Sequence, residues 1–551
     1  MKRAILVLMA LAGSASVWAA DLKISTNLKE GDRLAGIVEL SVTVEAAVSL
    51  NQVEFYVGDQ LRSTDTSTPY SLRLDTVAEK EGPLMVEIAA FASDGSSKRL
   101  KMNFVVDNQL GKGAGFHLEN ARKYLNNSKW DDSILASRVA LKADENSVGA
   151  RIMLGRAYLG KGVLDEAQKW SEDAMLLDEN PDTCELVSAV HLERAFKFTA
   201  SSADKKEILK QVITDFTAAI NTKHKANELR IKALGAETDA NRMKLVDLYL
   251  ANNEYGSAIR LLRKDYKELD PDIAIAGRLM YACMRSGRMQ EAGKISLNVE
   301  KRSARDAVVW SLTSAIYAYN RFFDKSADAL KQAILSDSDS PAVMTAAAFS
   351  AVRKSDKKAM AGQITQMLSK NITDPEVYYY LSILQYSMGD LIGSRDNFKK
   401  AVTQNPLLTD AYIQRGYDAL NQALTPAFSS DKEYLLEMAL GYMDLARLCK
   451  PDSPEALNGS ALVLMNMNKD KEALAMAQGA AGAGPEYPWA HFTLAAALNK
   501  NRNSSAAVKA VDVAGKLDEP VLSGRGIPTV AEALTYTMRH GRLPLIIAPR
   551  G

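Results

Sequence analysis

"LGRAYLGKGVLDEAQKW", Leu154 to Trp170, carries G-x-x-x-x-G-K at Gly155, Gly160 and Lys161, the front of a nucleotide-binding phosphate loop. Such a loop needs a hydroxyl directly after its lysine to reach magnesium, and a buried β-strand leading into the glycines. Gly162 stands where that hydroxyl belongs, and the preceding Ile152, Leu154 and Tyr158 fall at helical rather than alternating spacing. The glycines therefore read as part of a helix and its turn, with Lys161 a solvated turn residue.

Working outward, "ARKYLNNSKWDDSILASRVAL" (121–141) superimposes on "GRAYLGKGVLDEAQKWSEDAM" (155–175), placing Tyr124 on Tyr158, Ser133 on Ala167 and Ala140 on Ala174, each 34 residues apart. The same step links Ala258 to Ala292, Ala446 to Ala480 to Ala514, and Pro451 to Pro485. Small residues at Ala167 and Ala174 let two helices approach closely, Tyr158 fills the gap between them, and Gly162 permits the turn. "YLSILQYSMGDLIGSRDNFKKAVTQNP" (380–406) and "GSALVLMNMNKDKEALAMAQGAAGAGP" (459–485) repeat the pattern.

A 34-residue unit with these small, aromatic and proline positions resembles the tetratricopeptide repeat. The resemblance implies a mainly α chain, a right-handed solenoid over residues 116–540 of about ten helical hairpins whose first helices line a concave protein-binding surface, with no cofactor. Two places break the phase. Ala174 to Asp265 spans 91 residues, 23 more than two steps, and Ala401 to Ala446 spans 45, an excess of 11. The extra residues are expected near 182–240, as irregular or lengthened helices, and near 421–434.

Residues 20–108 read differently. "GIVELSVTVE", "NQVEFYVGD", "YSLRLDT", "PLMVEIAAFAS" and "KRLKMNFVVD" alternate apolar and polar residues between turn signals, as half-buried strands do. Short strands in this number predict a small all-β sandwich. The pattern "VEFYVGDQL…TPYSLRLDT…EGPLMVEIAAFASDGS" resembles the bacterial Ig-like domains of cell-envelope proteins. "NQLGKGAG" (108–115) is glycine-rich and breaks the alternation, which predicts a linker over 109–115. At the other end, "TVAEALTYTMRH" reads as a capping helix, followed by a tail over 541–551.

The first residues, "MKRAILVLMALAGSASVWAAD", combine Lys2 and Arg3, an apolar run from Ala4 to about Gly13, and small residues at Val17 and Ala19. This is the pattern of a signal peptide, residues 1–19, cleaved before Ala20. Ser14 takes the place of the cysteine that a lipobox would require, so no lipid anchor is expected. No later segment reads as a membrane span. Export places the chain in the periplasm or outside the cell. Lys+Arg 68 against Asp+Glu 67 leaves a formal charge of +1, which supplies no overall field for nucleic acid. The three cysteines, Cys184, Cys283 and Cys449, lie far apart in helical patterns and read as buried thiols rather than a disulfide framework or metal site.

Local catalytic signatures are absent from the sequence. None of the five histidines falls in H-E-x-x-H, and there is no C-x-x-C pair or G-x-S-x-G elbow. Acidic pairs such as Asp131–Asp132 and Asp165–Glu166 open second helices, where the amide dipoles account for them. The expected function is that of a non-enzymatic scaffold or adaptor for a protein or peptide partner in the cell envelope. Two alternatives stay open: a surface-attachment or glycan-binding protein using the sandwich, and an enzyme whose site is assembled from distant residues. Candidate contacts are Arg122 and Arg156, at equivalent positions of adjacent repeats, and the patch Tyr379, Ile383 and Tyr386, with Met243, Leu250, Trp489 and Phe492 in corresponding places. The Lys/Asn set of carboxylate-clamp repeats is lacking.

Overall fold

The computed structural model describes residues 22–197, 204–302, 305–370 and 373–549, so the signal-peptide reading falls outside the described residues. The chain divides into two compact units, Met1–Trp170 and Ser171–Gly551.

The first unit opens with eight strands: β1 (Lys23–Thr26), β2 (Arg33–Leu34), β3 (Ile37–Glu45), β4 (Leu50–Val57), β5 (Gln60–Asp65), β6 (Tyr70–Asp75), β7 (Gly82–Ala92) and β8 (Ser97–Val106). They form two sheets, ordered β1-β3-β6 and β2-β8-β7-β4-β5. Among the described residues only β2 and β8 pair in parallel. Because successive side chains point to opposite faces, every second residue enters the core, and Leu40, Val42, Leu72 and Leu74 join Val53, Phe55, Val86, Ile88 and Phe104 in one apolar cluster.

Three helices follow in this unit, α1 (Gly113–Asn126), α2 (Trp130–Ala143) and α3 (Val148–Lys161), and α4 (Leu164–Leu177) runs across the division. The glycine-rich stretch expected to be a linker is instead helical: a 3-10 turn at Leu110–Lys112 leads directly into α1. Asn108 explains why it is held. Its buried carboxamide accepts from the Gly36 amide (2.9 Å) and the Thr76 hydroxyl (2.9 Å) and donates to the Thr76 carbonyl (3.1 Å). The first hairpin is also tied to the sandwich by Arg138 on Asp75 (2.6 Å) and Lys142 on the Val77 carbonyl (2.7 Å). The glycines serve geometry here, Gly113 taking φ 80°.

The second unit continues with α5 (Pro181–Lys197), α6 (Lys205–Leu234), α7 (Arg242–Ala251), α8 (Tyr255–Asp265), α9 (Ile273–Arg285), α10 (Met289–Glu300), α11 (Ala307–Tyr319) and α12 (Phe323–Ser336). Then come α13 (Pro341–Lys354), α14 (Lys357–Ser369), α15 (Pro375–Ser387), α16 (Leu391–Gln404), α17 (Thr409–Ala423), α18 (Lys432–Cys449), α19 (Pro454–Asn466) and α20 (Asp470–Ala483). The series ends with α21 (Pro488–Lys500), α22 (Ser504–Leu517), α23 (Glu519–Leu522) and α24 (Val530–His540). From α5–α6 to α21–α22, consecutive odd and even helices pack as hairpins. First helices begin on proline at Pro341, Pro375, Pro454 and Pro488, where the missing amide costs nothing, or on a capping Asp such as Asp272 or Asp306.

The repeat is written most clearly in the turns. Left-handed residues recur at Ser128 and Gly162, then at Asn253, Gly287, Arg321, Ser355 and Gly389, then at Asn468 and Arg502, each run stepping by 34. The jumps between runs are 91 and 79 residues, two steps plus 23 and two steps plus 11. The first excess is taken up by the lengthened hairpin α5–α6, whose second helix has 30 residues, and the second by a 3-10 segment at Pro426–Asp431 and the 18-residue α18. Close approach within hairpins occurs at the small positions: Ser314 donates to the Ser326 carbonyl (2.8 Å) and Ser382 to the Ser394 carbonyl (2.8 Å).

Within the second unit the array returns onto itself. Lys206 pairs with Glu433 (2.9 Å, 227 residues on), His224 Nε2 meets the Leu448 carbonyl (3.2 Å, 224 on), the Gln290 amide donates to Glu486 (3.0 Å, 196 on), and Arg321 grips Asp518 through two bonds of 2.5 and 2.9 Å (197 on). These separations are close to the length of six repeats, so hairpins about six apart are brought side by side. The inner faces of the first helices thereby join one continuous apolar core extending from Leu192 to Ile547.

Candidate functional site

The inner face of the second unit holds a stretch of this chain's own backbone. α24 is started by a capping box in which Thr529 accepts from the Glu532 amide and Glu532 accepts from the Thr529 amide. It ends at Gly541, where any Cβ would sit 2.7 Å from both the Thr537 carbonyl and the Tyr487 hydroxyl. Beyond it, residues through Pro549 have no regular structure, yet Leu543, Leu545 and Ile546 are at most 2% exposed.

A buried irregular backbone must find partners for its amides and carbonyls, and here four side chains from separate hairpins provide them. Tyr487, the N-cap of α21, donates to the Gly541 carbonyl (2.6 Å), and Glu455 of α19 accepts from the Leu543 amide (2.7 Å). Arg285 of α9 donates to the Pro544 carbonyl (3.3 Å), and Tyr380 of α15 accepts from the Leu545 amide (3.1 Å). Arg542 reaches Tyr379 of α15 (3.3 Å) and the Gln414 side-chain oxygen of α17. Pro544 has no amide to satisfy. Burial of the whole arrangement pushes the Glu455 carboxyl up to about 7, with the neighbouring Asp410 carboxylate adding to the shift. A cavity of about 560 Å³ lies beside this segment, lined among others by Asn253, Tyr255, Tyr281, Arg285, Leu545 and Pro549.

The residues singled out from sequence fall in three places. Tyr379 and Ile383 are buried, each 3% exposed, in the core of the second unit, and Tyr379 meets Arg542. Tyr386, one turn on, is half-buried and lines a separate cavity of about 470 Å³ with Phe196, Phe398, Arg415 and Tyr442. Arg122 is exposed and Arg156 half-buried, on the packed first helices α1 and α3 of the first unit. Leu250 belongs to the core of the second unit, with Met243 packed partly buried against it, while Trp489 stacks on His540 (centroids 5.5 Å apart) and Phe492 meets Tyr536 edge-on (5.9 Å). Those two aromatics thus hold α24.

The opening lysine, Lys161, pairs with Asp131 at 2.5 Å, and Gly162 caps α3 at φ 79°. Gly160 lies against Trp130, with a Cβ there placed 2.8 Å from the indole ring. Among the described residues no His, Cys, Asp and Glu group is arranged to hold a metal, and the three cysteines are buried and unpaired with one another.

Sequence reasoning missed Arg285, Asp410, Glu455, Tyr380 and Arg542. The signal was present for one of them: in "IAIAGRLMYACMR", Arg278 and Arg285 interrupt an otherwise apolar helix, which asks for buried carboxylate partners. Glu455 stands in the first turn of α19, where interaction with the helix dipole already accounts for an acid.

Residues 25–143 match the family model described as bacterial Ig domain, a span that includes the sandwich from β1 onward and the first helical hairpin. Among solved structures, fibronectin(III)-like modules of Clostridium thermocellum CbhA align at 26% identity over 15% of this chain and 94% of that one, TM-score 0.14. Yeast Tom70 aligns at 13% identity over 78% and 95%, TM-score 0.34. A thermophilic TPR protein of Thermus thermophilus, TTC0263, aligns at 20% identity over 34% and 92%, TM-score 0.28. No curated protein matches the chain. The chain is mostly helical, an array of helical hairpins preceded by a β domain that matches the bacterial Ig domain model. No helix among the described residues is long and apolar enough to cross a membrane.

Proposed function

We propose that this chain is an exported, non-enzymatic scaffold of the bacterial cell envelope that binds a protein or peptide partner through the first-helix faces of its repeats. One observation carries the reading: the segment Gly541–Leu545 has its backbone held by side chains from separate hairpins, at Tyr487, Glu455, Arg285 and Tyr380. Contacts of that kind suit main chain of any sequence, and a preformed array lowers the ordering cost of capture. Tyr379 belongs to this face, Ile383 to the core behind it, Tyr386 to a separate cavity, and Arg122 and Arg156 offer guanidinium groups on adjacent first helices for an acidic ligand. The signal-peptide pattern of residues 1–19 and the bacterial Ig match support export to the envelope.

The test is site-specific photocrosslinking in the native organism, with the photoreactive residue placed at Arg156 or Tyr386. Discrete adducts to one or a few envelope polypeptides are expected. Adducts absent at both positions, together with recovery of the chain from the cytoplasm, would overturn the proposal.

A further inference from the structure

The segment following α24 is bound as peptide ligands are bound, and its chemistry is specific. Arg542 is gripped at one end by Tyr379 and Gln414. Leu543, Leu545 and Ile546 are buried, and Pro544 stands at the one place among 543–545 where no amide donor is met. Its backbone bonds go to side chains on α9, α15, α19 and α21, helices that lie far apart in sequence.

We propose that this inner channel is a binding site for an extended peptide of the type Arg-Leu-Pro-Leu-Ile, and that residues 542–549 are its tethered resident, which a partner segment of like chemistry displaces. The proposal rests on the scaffold reading above and adds to it the site, the ligand class and the competition. A tethered segment acts at an effective concentration in the millimolar range. A free peptide of micromolar intrinsic affinity therefore binds the intact chain on the order of a thousandfold more weakly than a chain lacking the segment. Access depends on how firmly the resident is held, and so on Glu455, Tyr380 and Tyr379.

The experiment compares the full chain with a chain ending at Gly541, using a labelled peptide with the sequence of residues 542–549 as probe. The shortened chain is expected to bind the probe at least a hundredfold more tightly than the full chain. N-methylation of the probe at the amide matching Leu545 should abolish that binding, because the Tyr380 hydroxyl then receives no donor. A full-length Leu543→Ser/Leu545→Ser chain, whose segment is weakened but present, should bind the probe with intermediate affinity. It replaces the shortened chain if that one does not fold. Absence of probe binding to whichever of the two chains is folded, or equal binding to the full chain, overturns the proposal. A dimer of the full chain that the probe dissolves would assign the channel to a second copy and overturn the partner-peptide assignment. Failure here with partner crosslinks intact at Arg156 or Tyr386 leaves the scaffold reading standing, so the two failures are distinguishable.

Discussion

Arg285 of α9 and Asp410 of α17, 125 residues apart in sequence and both more than nine-tenths buried, form a two-pronged ion pair, with one bond at 3.0 Å. The pair leaves a guanidinium hydrogen for the Pro544 carbonyl, so one arginine joins two repeats and the segment between them. Removing a single partner strands a charge in the core. Arg285→Ala and Asp410→Ala are each expected to cost about 3–5 kcal/mol, whereas Arg285→Met with Asp410→Leu costs less than either alone. Denaturant titration of the full chain and the three variants measures this. Equal additive losses would contradict it.

Glu455 gives the channel a pH response. Its carboxyl, raised to about 7, keeps its proton in the folded chain at pH values where the unfolded chain has lost it. The folded state therefore binds more protons between pH 4.5 and 7, and stability falls as pH rises through that window, by on the order of 3 kcal/mol at most. Glu455→Gln keeps an acceptor for the Leu543 amide and removes the titration, so its stability relative to the parent should improve from pH 5 to about pH 7 and level off above it. His540, lowered to about 4 chiefly by burial, works in the opposite sense but is common to both chains, and their difference isolates Glu455.

Ser355 closes the turn between α13 and α14 at φ 55°, a conformation that glycine adopts freely in the same turn at Gly287 and Gly389. Ser355→Gly should stabilise the chain by up to about 1 kcal/mol, while Gly162→Ala should destabilise it by about as much. Thermal unfolding of the two variants decides the matter, and a loss on Ser355→Gly would mean the left-handed turn is not strained.

Asn108 is expected to matter more than its place in a glycine-rich stretch suggests. Asn108→Ala leaves the Gly36 amide and Thr76 without their buried partner and should cost about 2–3 kcal/mol. Faster exchange at the Gly36 amide would report the loss locally, and an unchanged rate would contradict it.

Much of this architecture is legible in the sequence because hairpin packing imposes local demands at a fixed interval. Ala167 and Ala174 are fully buried at the close approaches, and Gly162 makes the turn for which its residue type is suited. The equivalent turns at Ser128, Arg321 and Arg502 were invisible, since tertiary packing forces a left-handed conformation on residues with no preference for it. The inner channel was less legible still. Tyr379 is bonded by Arg542, which comes from sequence some 160 residues away and which no local pattern announces. The channel's partners, Glu455 and Arg285, meet only because repeats about six apart are brought together. A glycine-rich stretch likewise looks like a flexible joint until Asn108 finds Thr76 and Gly36.

The backbone of Gly541–Leu545 is held along the inner face by side chains of separate repeats. Residue-resolved hydrogen exchange of the native full-length chain tests it most directly. The Leu543 and Leu545 amides are expected to exchange orders of magnitude more slowly than free peptide, and Tyr380→Phe to accelerate Leu545 in particular. Exchange of both amides at the rate of an unstructured peptide would contradict it.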